Sequence, residues 1–142
     1  MSDVVEIQAG VVDAIVAHAQ AELPNECCGL LIGSAQTIQE SVPARNLAAS
    51  PTSYLIDPAD HFAAIRSARR SGRHVVGAYH SHPASPPTPS ARDVAEASFP
   101  EFVYLIVSLA EPDKNDAVRA YRVANGRATL VQLISIRTAR RP

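Results

Sequence analysis

Two histidines one residue apart, His80-Ser81-His82, are followed by a Pro/Ser-rich loop and then by a carboxylate, Asp93. Side chains on an extended strand alternate faces, so His80 and His82 share one side. Two imidazole nitrogens and one carboxylate oxygen suit zinc. They leave a fourth tetrahedral position open, as in catalytic rather than structural sites. A lone His-x-His is more often a pair of surface histidines at a strand end. Here a small apolar strand aims both rings, Pro83 stops it, and Ser90-Ala91-Arg92-Asp93 starts a helix soon after. These features favour ligation by His80, His82 and Asp93.

A hydrolytic metal site needs two more groups. Zinc brings the pKa of a bound water to about 7, and a carboxylate that shuttles the proton to a leaving amine assists further. Glu26 is the candidate base, because a charge at the entrance of the apolar run Cys27 to Gly33 is awkward unless it serves a site. A solvated strand-end glutamate is the plain alternative. Glu22 is less suited, since it reads as the last turn of a helix. Ser90 and Asp93 also match a helix capping box. A cap would hold the Ser90 hydroxyl near the metal, where it could donate to a developing oxyanion.

The elements that must position these groups are legible from periodicity. Val11, Val12, Ile15, Val16 and Ala19 predict a helix over Ala9 to Glu22, stopped by Pro24. Cys27 to Gly33 reads as a buried strand, and Thr37 to Val42 can pair with it as a hairpin. Asp57-Pro58 supplies an N-cap and a favoured first residue for a second helix, with Gly72 at its end. His74 to Tyr79 is then a central strand that delivers the two histidines. A short third helix begins near Ser90. Phe102 to Leu109, Ala117 to Val123 and Thr129 to Ile136 are further strands, the last two joined at Asn125-Gly126. The expectation is an α/β fold, a mixed sheet of about six strands flanked by helices, as one domain over residues 1–136. Arg137 to Pro142 is expected to be a frayed basic tail.

Composition narrows the function. At 142 residues the chain accommodates one domain with a real core, and 46% hydrophobic against 19% charged residues argues against disorder. A net charge of -1 gives no bulk electrostatic reason to bind nucleic acid. The amino terminus lacks the basic-then-apolar pattern of a signal peptide, and no apolar run reaches the roughly 20 residues that span a bilayer. Cys27 and Cys28 are adjacent and on a strand point to opposite faces, so they form no disulfide framework. A reducing cytoplasm is the simplest home. No base partners either thiol, so both read as small buried hydrophobes. Cys28, two residues beyond Glu26, could share its face. His18, His61 and His74 lack paired ligands and read as surface or structural. Arg69-Arg70 with Arg73, and Arg137 with Arg140-Arg141, read as solvated faces, with docking of an acidic partner the weaker alternative.

The run Pro24-Asn25-Glu26-Cys27-Cys28-Gly29-Leu30-Leu31-Ile32-Gly33, together with His80-Ser81-His82-Pro83 and Ser90-Ala91-Arg92-Asp93, resembles the signature of the JAMM (MPN-plus) zinc metalloproteases. Tyr104 to Leu109 would be the following core strand. The resemblance implies a JAMM core like that of the cytidine deaminases and one zinc ion per chain. It makes His80, His82 and Asp93 the ligands, Glu26 the general base and Ser90 the oxyanion donor. All five positions match, unlike the non-catalytic branch of that superfamily.

Relatives that cut ubiquitin chains carry insertions for which this chain has no obvious room. It is more similar to small bacterial enzymes that hydrolyse the bond after the C-terminal Gly-Gly of ubiquitin-like sulfur-carrier proteins. That implies a carrier or ubiquitin-like protein as partner, with no nucleic acid and no membrane. The loop from Pro83 to Pro89 would form one wall of the tail groove. Three other readings stay open: a zinc-stabilised binding module, a general small-peptide metallopeptidase and, less favoured, a DNA-associated relative.

Overall fold

The elements are β1 (Val4–Gln8), α1 (Ala9–Glu22), β2 (Cys28–Ser34), β3 (Thr37–Ala44), α2 (Pro58–Arg70), β4 (His74–His82), α3 (Ala91–Glu96), β5 (Val103–Ser108), β6 (Val118–Ala124) and β7 (Arg127–Ile136). The structure is a computed structural model that describes residues 3–34, 36–110 and 117–137. The part of the expected frayed tail beyond Arg137, with Arg140 and Arg141, lies outside the described residues.

Local chemistry accounts for most boundaries. Val11, Ile15 and Ala19 bury one stripe of α1, which starts without a side-chain cap and so depends on that packing. The Asp57 carboxylate accepts the Ala59 N–H at 2.9 Å to cap α2, with Pro58 in the first turn. At its other end the N–H groups of Gly72 and Arg73 donate to the carbonyls of Arg69 and Ala68. Asn125 and Gly126 both take positive φ, 55° and 73°, the conformation a two-residue hairpin turn demands between β6 and β7.

The strands run in the order β1-β3-β2-β4-β5-β6-β7, and β1 pairs in parallel with both β3 and β7, closing the sheet on itself. Among the described residues the sheet therefore has seven strands, where sequence periodicity suggested about six. The additional one is β1. Its buried Val5 and Ile7 alternate with Glu6 and Gln8, but it passes into α1 with no turn signal. Its partners are remote in sequence, so tertiary pairing defines it.

Alternation splits the core between two faces. Leu31, Tyr79, Val103, Leu105 and Val107 pack with α1 residues on one side. Leu30, Ile32, Ala78 and Tyr104 pack with Ala64 and Ala68 of α2 on the other. Gly29 lies opposite Tyr79 across the β2–β4 ladder. A β-carbon there would lie 2.3 Å from the Tyr79 ring, which crosses it to reach His18 Nδ1 at 2.8 Å. No helix among the described residues is long and apolar enough to cross a membrane.

Candidate metal centre

β2 and β4 are antiparallel with Cys28 opposite His80. Opposed residues share a face, and every second residue joins them. His80 and His82 thus fall on the α2 side with Ala78, at the carboxyl end of β4. Glu26, just ahead of β2, is carried to the level of His82. Ser81, between the histidines, points the other way. Its hydroxyl accepts the Cys27 N–H at 2.8 Å, while its own N–H donates to the Cys27 carbonyl at 3.1 Å.

The loop from Pro83 to Pro89 folds back and is tied down at three carbonyls. Ser108 Oγ donates to Ser85 O at 2.6 Å, Tyr121 Oη donates to Pro87 O at 2.8 Å, and His82 Nδ1 donates to Pro86 O at 2.7 Å. A carbonyl only accepts, so the last contact places a proton on His82 Nδ1 and turns Nε2 toward Asp93. The loop thus fixes the orientation of the His82 ring. The large groove described below is lined by other segments.

Asp93 completes the cluster from the first turn of α3. The capping box is present: Ser90 Oγ accepts the Asp93 N–H at 3.0 Å and Asp93 Oδ2 accepts the Ser90 N–H at 2.9 Å. The same Oδ2 lies 3.2 Å from His80 Nε2 and 3.1 Å from His82 Nε2, and the two Nε2 atoms are 3.1 Å apart. Three acceptor-capable atoms therefore form a near-equilateral triangle. Protons on the imidazoles or a cation among them can hold these atoms together. Burial opposes the charged form of His82, but its hydrogen bonds to Asp93 and to the Pro86 carbonyl outweigh it and raise its pKa. Burial keeps His80 toward the neutral imidazole, the form that ligates. Burial opposes ionisation of Asp93, but its hydrogen bonds with His80 and His82 outweigh it and hold the carboxyl well below the usual range. The cluster could hold a metal ion, and neutral imidazole with carboxylate is a donor set that zinc accepts.

Glu26 is 4% exposed, and its Oε1 is buried without a hydrogen-bond partner. Burial raises its pKa to about 7, opposed by the charge of His82 and reinforced by that of Asp93. Such a group is poised to exchange protons near neutrality.

Sequence reasoning missed two residues that organise this region. Asn46 donates to the carbonyls of Glu26 at 3.0 Å and Ser53 at 3.1 Å, and its Oδ1 accepts from Ala48 at 3.0 Å and Leu55 at 2.9 Å. It therefore holds both the Glu26 backbone and the loop 46–56. Tyr54, on that loop, stacks on His80 with centroids 4.3 Å apart and planes 20° from parallel. Loop residues carry no periodicity, so neither had a signal beyond residue type. A groove of about 630 Å³ runs from Tyr54, stacked on His80, and Arg92, next to Asp93 in the chain, to His61 and Phe99.

A family model described as prokaryotic homologs of the JAB domain matches residues 8–124. The chain belongs to that family. The resemblance to JAMM (MPN-plus) proteins drawn from the motifs therefore holds. Among JAB-family relatives, the CysO-cysteine peptidase of Mycobacterium tuberculosis is 34% identical over 128 residues, which cover 89% of this chain and 87% of that protein. The desampylase of Haloferax volcanii is 41% identical over 103 residues, covering 68% and 74%. The solution structure of a protein from Desulfitobacterium hafniense matches with a TM-score of 0.87 at 33% identity, over 94% of both chains.

The remaining JAB-domain residues behave as structural groups. Cys27 and Cys28 are free and buried, and burial pushes their thiols up to about 11 and about 12. Cys28 does face His80 across the ladder, but its Sγ lies 3.9 Å from the Ala44 carbonyl. A thiolate nucleophile has no support there. His18 is a satisfied structural histidine against Tyr79, His74 is an exposed strand residue, and His61 packs edge-on to Phe99. Arg73 pairs with Glu40 at 2.8 Å.

Proposed function

We propose that this chain is a zinc-dependent hydrolase. It would cleave the amide or isopeptide bond that follows the C-terminal Gly-Gly of a ubiquitin-like or sulfur-carrier protein. The observation that carries the reading is the Nε2–Nε2–Oδ2 triangle of His80, His82 and Asp93 with the buried, poorly satisfied carboxylate of Glu26 close by. The relatives named CysO-cysteine peptidase and desampylase support a carrier or conjugate as substrate. Two free, buried cysteines fit a reducing cytoplasm.

His80, His82 and Asp93 would hold one zinc ion, which when bound polarises a carbonyl and acidifies water. Glu26 accepts the proton of the water that attacks the carbonyl carbon. As the C–N bond breaks, Glu26 delivers that proton to the departing amine, so acid and amine leave with the elements of water added. Ser90 uses a lone pair in its cap and keeps its hydroxyl hydrogen for the tetrahedral oxyanion. The carrier tail lies in the groove beside Tyr54 and Arg92, where residues without a β-carbon pass the Tyr54 ring most readily.

Incubating zinc-loaded protein with a Gly-Gly-ended carrier bearing one additional cysteine, and following its mass, tests the reading. Wild type should release the cysteine, while Glu26→Gln keeps its zinc and loses about 10²–10⁴ in rate. Intact carrier in the presence of bound zinc would point instead to a binding module.

A further inference from the structure

A second cavity meets the candidate site at Glu26. It encloses about 170 Å³ and is lined by Glu22, Asn25, Glu26, Cys27, Arg45 and Asn46, with Ala44 and Ala49 closing it. The loop 46–56 separates it from the large groove: Ala48 lines the groove, whereas Asn46 and Ala49 line the small cavity. Of the two spaces, only the small one reaches Glu26. In the hydrolysis argued above, Glu26 hands its proton to the leaving amine, so the amine must lie on the Glu26 side. The acyl tail then occupies the groove beside Tyr54 and Arg92.

Arg45 contributes a cation to the lining. Arg45 is exposed. Its backbone is held, the N–H donating to Asp60 Oδ2 at 2.8 Å and the carbonyl accepting from Asp57 N–H at 3.0 Å. Among the described residues its guanidinium has no ion pair or hydrogen bond, unlike Arg73, Arg92 and Arg122. The other charged residues of the lining are Glu22 and Glu26. A single amino acid attached through its α-amino group brings one uncompensated charge into this space, its α-carboxylate. A planar guanidinium recognises that group bidentately.

Resting on the hydrolase reading, we propose that this cavity is the leaving-group subsite and that it takes one small amino acid with a free α-carboxylate, bound by Arg45. Preferred substrates are then carriers ending in a single additional residue. Conjugates through a lysine side chain present no carboxylate at that position and are poorer substrates. After cleavage the new ammonium faces Glu22 and Glu26 and the carboxylate faces Arg45, matching the charges of the released zwitterion.

The test compares zinc-loaded wild type, Arg45→Ala and Arg45→Lys on a Gly-Gly-ended carrier extended by cysteine, as free acid and as C-terminal amide. Wild type should prefer the acid by about ten-fold in kcat/KM, chiefly through KM. Arg45→Ala should cleave both alike, and Arg45→Lys should recover part of the preference. Equal cleavage of acid and amide by wild type, or undiminished preference in Arg45→Ala, would overturn the subsite.

A binding measurement separates this outcome from failure of the hydrolase reading. N-acetylserine, which lacks a thiol, should shift the amide resonances of Asn25, Asn46 and Ala49 in wild type and not in Arg45→Ala. If no carrier is cut but those shifts appear, the hydrolase reading falls and with it the leaving-group role, leaving only a carboxylate-binding cavity at Arg45. If carrier is cut and the shifts are absent, the subsite falls.

Discussion

Ser81 Oγ accepts the backbone N–H of Cys27 at 2.8 Å, tying the residue between the two histidines to the residue that follows Glu26. The face of β4 opposite His80 and His82 thus helps fix where Glu26 sits relative to them. Ser81→Ala leaves a buried N–H unsatisfied and should cost about 1–3 kcal/mol of unfolding free energy in urea. Zinc content should stay near wild type while kcat falls. A variant with normal kcat would show that this latch does not position Glu26.

Stability should respond to pH through Glu26. Its folded pKa of about 7 lies above the ordinary 4.5, so the folded protein binds this proton more tightly than the unfolded chain. The resulting stability is complete below about pH 4.5 and is lost as pH rises through about 7, a change on the order of 3 kcal/mol. Metal-free Glu26→Gln, which does not titrate, should therefore gain on metal-free wild type between about pH 5 and pH 8. Urea melts across that range measure it. A bound dication stabilises the carboxylate, so zinc should shrink the difference. Parallel curves for the two metal-free proteins would contradict the buried placement of Glu26.

Asp93 both caps α3 and completes the triangle, and substitution separates the two roles. Asp93→Asn keeps a side-chain acceptor for the Ser90 N–H but removes the anionic ligand. Asp93→Ala removes both. Both variants should lose zinc on dialysis, read by metal analysis, and Asp93→Ala alone should pay the cap loss of about 1 kcal/mol in stability. Full zinc stoichiometry in Asp93→Ala would exclude the residue as a ligand.

Asn46→Ala removes the side-chain hydrogen bonds that join the Glu26 carbonyl to the loop 46–56. The expected cost is about 2–4 kcal/mol, with kcat falling and zinc affinity little changed, since no ligand is touched. Asn46→Asp should recover only the acceptor half. A drop in zinc affinity as large as the drop in kcat would mean that the loop acts on the ligands through Tyr54 instead.

The stacking of Tyr54 on His80 should matter through its ring and not its hydroxyl. Tyr54→Phe is expected to stay within about 0.5 kcal/mol of wild type in stability and near it in zinc affinity. Tyr54→Ala should lose about 0.5–1.5 kcal/mol of aromatic contact and weaken zinc binding. Equal zinc affinity in all three proteins, measured by competition with a chelator, would remove the ring from the support of the site.

Periodicity and spacing alone determined six of the strands, the three helices, the Ser90–Asp93 cap and the pairing of His80 with His82 on one face. These depend on rules that act over a few residues: side-chain alternation, helical repeat and capping chemistry. Tertiary structure decided what those rules do not reach. β1 became a strand because β3 and β7 lie on either side of it. The Pro83–Pro89 loop became a clamp on His82 because β5 and β6 offer Ser108 and Tyr121 to its carbonyls. Tyr54 and Asn46 reached His80 and Glu26 along a loop whose path follows no repeat. The Glu26 proton affinity, too, is a property of the assembled site, because burial and the neighbouring charges exist only when remote segments have been brought together.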